Sequence, residues 1–159
     1  MSNNNFPKTL VDFIRDIPLF ESLNQDELQV VVGYLKIIEL KSGEILFHEW
    51  DKADFVCFIE QGRLNIMRKK NADNYLVLNT LGRGRSIGEL TIIENFPRST
   101  TVKAKEDARL VLLYREKFEL IIKNDCDIGI MILKGLAGLL GQNLRKTSSR
   151  LADNMLPLD

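Results

Sequence analysis

Apolar residues follow a helical spacing near the start of the chain. Over residues 18–36 they recur at the three- to four-residue spacing that places side chains on one face of a helix. Asn24 stands three residues before Glu27, which is the arrangement of a capping box at a helix N-terminus. The pattern predicts one amphipathic helix over residues 18–36. The apolar positions on its face are Leu23, Leu28, Val31, Val32 and Leu35.

Between residues 37 and 111 the pattern changes to short runs rich in β-branched and aromatic residues. The runs are IIEL, ILFH, FVCFIE, RLNIM and YLVLNTL, and turn-forming stretches such as EWDKAD and RKKNADN separate them. TTVKA and RLVLLY add two more runs further along the chain. Six or more short strands at regular spacing predict a β-roll or barrel.

Helical periodicity returns in YREKFELIIKND, and a long apolar stripe then runs from about Asp127 to Met155. At about 1.5 Å per residue the last helix would be about 40 Å long, more than a small β-roll covers. Its far half, with Leu144 and Leu151, would either fold back on its own domain or form a seam for self-association, and we favour the seam. The glycines at which a neighbour would approach closely are Gly135, Gly138 and Gly141.

These elements predict a mainly β fold with flanking helices, of the α+β class, in a chain of 159 residues. We expect an N-terminal extension over residues 1–16, a single domain over 17–155 and a tail over 156–159. Within the domain, the β-roll would span about 37–114 and the C-terminal helices about 115–155.

The composition is that of a globular protein. Twenty-two Lys and Arg residues balance 22 Asp and Glu residues, with 45% of positions apolar, so the chain is neither compositionally disordered nor disulfide-dense. No run approaches about eighteen apolar residues, and the first residues lack a basic segment followed by an apolar one. We therefore expect a cytoplasmic protein that does not engage a membrane.

Few residues offer catalytic or metal-binding chemistry. Cys57 and Cys126 lie far apart in unrelated contexts, so we expect two plain thiols. His48 is the single histidine, which excludes every site that needs two imidazoles. No Ser/His/Asp or Cys/His pattern has further support, and we predict neither catalytic residues nor a metal site.

Basic residues are concentrated in one segment. Residues 81–105 carry five basic and two acidic side chains, an excess that suits a small anion better than a nucleic-acid backbone. Gly88, followed by ELTII, would open a short helix whose free N–H groups face an anion. Arg98 would supply a fork for two phosphate oxygens, and Glu89 would accept a hydrogen bond from a neighbouring sugar hydroxyl. The glycines of GRGRSIG have the spacing GxGxxxG outside a βαβ context, so we reject a dinucleotide fingerprint.

The run IGELTIIENFPRSTTVKA resembles the phosphate-binding segment of cyclic nucleotide-binding domains, whose pattern is roughly G-E-[LI]-A-L and then P-R-[AST]-A-[TS]-V-x-A. The resemblance covers roughly residues 17–150. It implies a β-roll of the double-stranded jelly-roll type, with an N-terminal helix and a long C-terminal helix. It also implies a cyclic nucleotide as ligand and a binding module in place of an enzyme.

The resemblance assigns roles to individual residues. Arg98 would hold the cyclic phosphate, and Glu89 would accept from the ribose 2′-OH. The backbone N–H groups of Gly88, Leu90 and Ser99 would line the phosphate site, and the Ser99 hydroxyl would add a donor.

Three positions depart from the family pattern. Thr91 and Thr100 stand where the family usually has Ala or another small residue, and Trp50 replaces a turn glycine. The Thr100 side chain would either narrow the ligand site or supply another donor. A second interpretation therefore remains, in which the fold is a dimerisation or docking scaffold that binds no ligand.

The stretch LRKTSSRLADN resembles the corresponding helix of the bacterial cAMP receptor branch of the family, where a Thr-Ser pair meets the adenine. Thr147 and Ser148 occupy those places, which implies a preference for cAMP over cGMP and a homodimer through this helix. Ser99 leaves the base open, because a hydroxyl residue after the arginine also occurs in cGMP-selective members.

The chain ends a few residues after this helix, at Asp159, so we expect no element that reads DNA. The interpretation that follows is a stand-alone receptor whose ligand moves the C-terminal helix and changes its contacts with a partner. The alternatives are the scaffold without ligand, a cupin-like enzyme and a fragment of a larger regulator. The cupin-like enzyme is disfavoured because a single histidine cannot supply the ligands of its metal site.

Overall fold

The computed structural model of the chain describes residues 5–155. The helices are α1 Asn5–Arg15, α2 Gln25–Val32, α3 Arg115–Asn124 and α4 Cys126–Asp153, with 3-10 helices at Pro18–Phe20 and Glu89–Ile92. The strands are β1 Lys36–Leu40, β2 Ile45–Phe47, β3 Phe55–Gln61, β4 Leu64–Asn71, β5 Asn74–Leu81, β6 Ser86–Ile87, β7 Thr101–Ala104 and β8 Ala108–Tyr114. The predicted mainly β architecture with flanking helices is confirmed.

The strands form two antiparallel sheets, in the orders β1-β8-β3-β6 and β2-β7-β4-β5. The run FVCFI at the start of β3 is apolar without interruption because the strand is covered on both faces. Val56 and Phe58 lie in the core between the first sheet and the helices, whereas Cys57 and Ile59 lie in the core between the two sheets. Strand β8 alternates in the same way, so these two strands separate the two cores.

The single helix expected over residues 18–36 is divided in the structure. Pro18–Phe20 forms a 3-10 helix, and the capping box between Asn24 and Glu27 then fixes the start of α2 at Gln25. Helix α2 ends at Val32, followed by Gly33, and β1 already begins at Lys36. The capping box was predicted correctly and the length of the helix was not.

The β4–β5 hairpin is longer than the sequence pattern indicated. RKKNADN was expected to separate two strands, but residues 68–71 continue β4 and Asn74 begins β5. The Asn71 side chain accepts from the Asn74 amide at 3.1 Å and closes the two-residue loop. Charged residues are compatible with these positions because both faces of the hairpin tip are exposed.

The N-terminal segment contributes to the core. Val11 and Ile14 of α1 are fully buried in the cluster that also contains Phe58 and Phe118. The sequence analysis treated residues 1–16 as an extension and assigned no helix there. Residues 1–4, and the expected tail over 156–159, lie outside the described residues.

Helix α4 packs against the domain through its first half only. Ile132 and Leu136 are buried, and the apolar contacts of the stripe reach as far as Leu140. Beyond that point Leu144 and Leu151 are 68% and 62% exposed, so the far half does not fold back on its own domain. No helix within residues 5–155 combines the length and hydropathy needed to cross a bilayer.

Of Gly135, Gly138 and Gly141, only Gly135 has the close approach expected of it. A Cβ at Gly135 would lie 2.3 Å from the backbone oxygen of Leu19 in the first 3-10 helix. A Cβ at Gly138 would meet nothing within 4 Å, and at Gly141 it would meet only the Arg145 side chain, at 3.4 Å. Gly135 therefore sets how closely α4 lies against the domain.

Candidate functional site

Residues 88–100 connect β6 to β7 and form one wall of a cavity of about 370 Å³. Gly88 has a left-handed backbone conformation, with φ of 79°, and the 3-10 helix Glu89–Ile92 follows it directly. The first amides of a helix have no partner within the helix. The amides of Ser99 and Thr100 lie outside helices and strands, and no backbone acceptor within residues 5–155 takes them. The cavity wall therefore carries several available N–H donors.

Arg98 lies at the centre of this wall with its side chain turned into the protein, and it is only 4% exposed. Its Nη2 donates to the Phe55 carbonyl at 2.8 Å, and its Nη1 to the Thr91 hydroxyl at 3.4 Å. The guanidinium carbon lies 4.0 Å from the ring centre of Phe47 and 4.5 Å from that of Phe55. Two aromatic rings and two oxygen acceptors thus hold the cation in place.

The charge of Arg98 is only partly compensated. Burial is the main influence that lowers the pKa of Arg98, and the carboxylate of Asp54 opposes it. No carboxylate within residues 5–155 lies within ion-pair distance of the guanidinium, and its buried Nε has no acceptor. A buried donor without a partner is costly, and the cation also lacks a carboxylate partner among these residues.

Glu89 is half-buried beside the cavity and is oriented by a neighbour. The Ser86 hydroxyl donates to its Oε1 at 2.6 Å. This contact fixes the carboxylate and leaves Oε2 to accept from a ligand hydroxyl.

The two threonines that depart from the family pattern do not fill the cavity. The buried hydroxyl of Thr91 accepts from Arg98, and Thr100 is half-buried in the cavity wall. With both side chains present, the volume still falls within the range of small-molecule sites, about 300–1,000 Å³.

The predicted site residues fall into two groups. Gly88, Glu89, Leu90, Arg98, Ser99 and Thr100 all line the cavity. Thr147 and Ser148 lie on the exposed far half of α4 and do not line it. Within one copy of the chain, the structure therefore brings together the residues expected around the phosphate and ribose, and it leaves Thr147 and Ser148 apart from them.

Sequence reasoning missed the residues that hold Arg98 and its segment. Phe47 and Phe55 carry no motif, and they meet Arg98 only through the fold. Arg115, the first residue of α3, donates from Nε to the Thr91 carbonyl at 2.7 Å and from Nη1 to the Asn95 side chain at 3.2 Å. Its Nη2 donates to the Ala53 carbonyl. Arg115 thereby joins the 88–100 segment to the helices that lead into α4.

Trp50 also has an unexpected setting. Its φ is 75°, a left-handed conformation that costs a residue with a Cβ about 1–2 kcal/mol, and its side chain is 76% exposed. Two backbone hydrogen bonds join this turn to Arg98: the Trp50 amide donates to the Arg98 carbonyl at 2.8 Å, and the Arg98 amide donates to the Asp51 carbonyl at 2.9 Å.

The two cysteines differ in accessibility. Cys57 is fully buried in the core between the sheets, and burial raises the pKa of its thiol to about 12. Cys126 is exposed as the first residue of α4. No group of three or more His, Cys, Asp or Glu side chains within residues 5–155 is arranged to hold a metal ion.

We expect Gly88→Ala to lower the free energy of unfolding by more than Gly84→Ala does. Both glycines have a left-handed φ, so each Ala would cost about 1–2 kcal/mol of backbone strain. The Cβ at Gly88 would also lie 2.4 Å from Nη1 of Arg98, whereas at Gly84 it would meet nothing within 4 Å. Displacing the guanidinium from the Phe55 carbonyl should add about 1.5–3 kcal/mol. Urea unfolding of both variants measures the difference, and equal losses would contradict the close contact.

Comparison with known proteins gives a consistent result. The family model described as "Cyclic nucleotide-binding domain" matches residues 37–125. A cyclic AMP receptor protein of Thermus thermophilus is 25% identical over 134 residues, which is 84% of this chain and 60% of the relative. A lysophospholipase NTE1 of Chaetomium globosum is 30% identical over 103 residues, which is 65% of this chain and 7% of that enzyme. The chain therefore spans less than two thirds of either relative.

A solved structure supports the fold. The crystal structure of a cyclic nucleotide-binding domain from Methylobacillus flagellatus superposes with a TM-score of 0.80 at 22% identity. The alignment covers 96% of this chain and 86% of that one.

Proposed function

This chain belongs to the cyclic nucleotide-binding domain family, and we propose that it is a cytoplasmic, non-enzymatic receptor for a cyclic nucleotide, with cAMP preferred over cGMP. The observation that carries the proposal is the guanidinium of Arg98, which lines a well-formed cavity and has no carboxylate within ion-pair distance among residues 5–155. A cyclic phosphate is a singly charged anion whose oxygens would accept from that guanidinium. The same phosphate is joined to a ribose. The oriented carboxylate of Glu89 would accept a hydrogen bond from the ribose 2′-OH.

The phosphate would be held by a cation and by backbone donors together. Arg98 would supply Nε and a remaining N–H of its fork, while the amides of Leu90 and Ser99 approach from the two ends of the 88–100 segment. The Phe47 and Phe55 rings keep the guanidinium in place, so little side-chain entropy is lost on binding.

Preference for the base would come from α4 of a second copy. Thr147 and Ser148 are exposed and lie outside the cavity of their own chain, on the same half-helix as the exposed Leu144 and Leu151. Pairing the far halves of two α4 helices would cover these leucines. We propose that Thr147 and Ser148 of the second copy then contact the base. The receptor would therefore act as a homodimer.

Arg115 would couple ligand binding in the cavity to the position of α4. Its three hydrogen bonds tie the Thr91 carbonyl, the Asn95 side chain and the Ala53 carbonyl to the start of α3. Helix α3 runs directly into α4, with Asp125 between them. A ligand that moves the 88–100 segment would pull on this side chain and shift α4 against the domain, which changes the dimer or partner contacts.

We expect cAMP to bind with saturable heat in isothermal titration calorimetry and to bind more tightly than cGMP. Arg98→Lys keeps a positive charge but loses the fork, and it should weaken binding about ten- to a hundredfold. Arg85→Ala removes an exposed arginine of the same basic segment that does not line the cavity, and it should bind as the wild type does.

Replacing cAMP by 2′-deoxy-cAMP should weaken binding to the wild type, and this loss of affinity should be smaller in Glu89→Gln. Absence of saturable heat at millimolar cAMP and cGMP would contradict a receptor and leave the docking scaffold.

Two measurements test the role of the far half of α4, one for dimerisation and one for base preference. Sedimentation equilibrium should give twice the chain mass of 18.2 kDa for the wild type and the single mass for Leu144→Asp. Ser148→Ala should reduce the preference for cAMP over cGMP, whereas Ser149→Ala, one position along the same exposed helix, should not. A monomeric wild type, or equal effects of both serine variants, would contradict the role of the far half of α4.

Ligand-induced change in α4 should depend on Arg115. In the wild type, cAMP should alter hydrogen-exchange protection across Cys126–Asp153. Arg115→Lys keeps the charge but loses most of the three-point contact, so this response should be lost while cAMP affinity falls less than about tenfold. Lys117→Ala, an exposed change on the same helix, is the control and should respond normally. Unchanged protection in the wild type would contradict the proposed switch.

A further inference from the structure

A second cavity lies outside the site described above, between the β2–β3 turn and the tip of the β4–β5 hairpin. Its volume of about 610 Å³ exceeds the 370 Å³ of the first cavity, and the two have no lining residue in common. The residues that give it a chemical character are His48, Trp50, Lys69, Lys70 and Tyr75. Nothing in the proposed cyclic nucleotide site uses these side chains.

Aromatic side chains on the rim of this cavity are exposed. The Trp50 side chain is mostly in solvent, and that of Tyr75 is 44% exposed. Trp50 also keeps a left-handed backbone conformation that glycine adopts without strain. The indole therefore gains little from burial within its own chain, although the backbone bears a cost for having it there. Strained, exposed residues of this kind concentrate at ligand contacts.

The charge around the cavity is positive. Neither Lys69 nor Lys70 has a carboxylate within ion-pair distance among residues 5–155. Glu49, the one acid that lines the cavity, is paired with Arg68 at 3.5 Å. Two lysines without acidic partners, beside two exposed rings, suit a ligand that joins a planar ring to an anionic group.

We propose that this second cavity is a binding site for a small planar anion, in which Trp50 and Tyr75 contact the ring and Lys69 and Lys70 contact the anionic group. The cavity has the volume of a small-molecule site, and the basic residues are too few for a nucleic-acid backbone. A nucleoside monophosphate and an aromatic carboxylate share this chemistry, and the experiment below distinguishes them.

Trp50 is the single tryptophan of the chain, so tryptophan emission excited at about 295 nm reports on the rim of this cavity, and the Arg98→Lys variant below separates this signal from binding in the first cavity. We expect 5′-AMP to change the Trp50 emission saturably. Adenosine, which lacks the anion, and inorganic phosphate, which lacks the ring, should each bind at least about tenfold more weakly. Benzoate in place of 5′-AMP tests the carboxylate, and tighter binding of one of the two identifies the anionic group.

Variants separate this site from the cyclic nucleotide site. Lys69→Ala combined with Lys70→Ala should weaken 5′-AMP binding about ten- to a hundredfold, whereas Lys123→Ala, an exposed lysine on α3, should leave it unchanged. Trp50→Gly should abolish binding measured by calorimetry. Arg98→Lys should retain the fluorescence response, so failure of the first site leaves this test intact.

Three results would overturn the proposal. The first is emission that does not change at millimolar 5′-AMP or benzoate. The second is an equal response in the variant that lacks both lysines. The third is loss of the response in Arg98→Lys, which would place the ligand in the first cavity.

Discussion

A buried guanidinium determines much of the structure around it. Arg98 is enclosed by the Phe47 and Phe55 rings and donates to the Phe55 carbonyl, so strands β2 and β3 must approach the 88–100 segment closely. Position 88 must then lack a side chain, since a Cβ there would clash with Nη1. The left-handed conformation of Gly88 in turn starts the short helix that carries Glu89. One cation therefore orders the residues that surround the cavity.

The two-sided burial of β3 and β8 makes this arrangement possible. One face of each strand packs against the helices and the other against the second sheet, so the carbonyl of Phe55 is held on a rigid strand. The helical side is built from α1, α2, α3 and the first half of α4. The cavity wall thus rests on one core, while the far half of α4 extends beyond it.

The sequence was most informative where one physical rule dominates. Alternating and continuous apolar runs located the longer strands, the capping box located the start of α2, and the G-E-L and P-R-S motifs located Glu89 and Arg98. The strand β6 has two residues, too few for a periodic signal. The hairpin tip was missed because charged residues fit an exposed strand as well as a turn. Contacts between Arg98 and Phe55, 43 positions apart, and between Arg115 and Ala53, 62 positions apart, depend on the assembled sheets.

The placement of the two thiols makes the helix junction chemically addressable. Only Cys126 is exposed, and it is the first residue of α4, whereas Cys57 is sealed between the sheets with a pKa that suppresses its thiolate. A thiol-directed spin label or fluorophore would therefore attach to the native chain at one position, at the joint between α3 and α4. Motion of the long helix can be followed without altering the sequence.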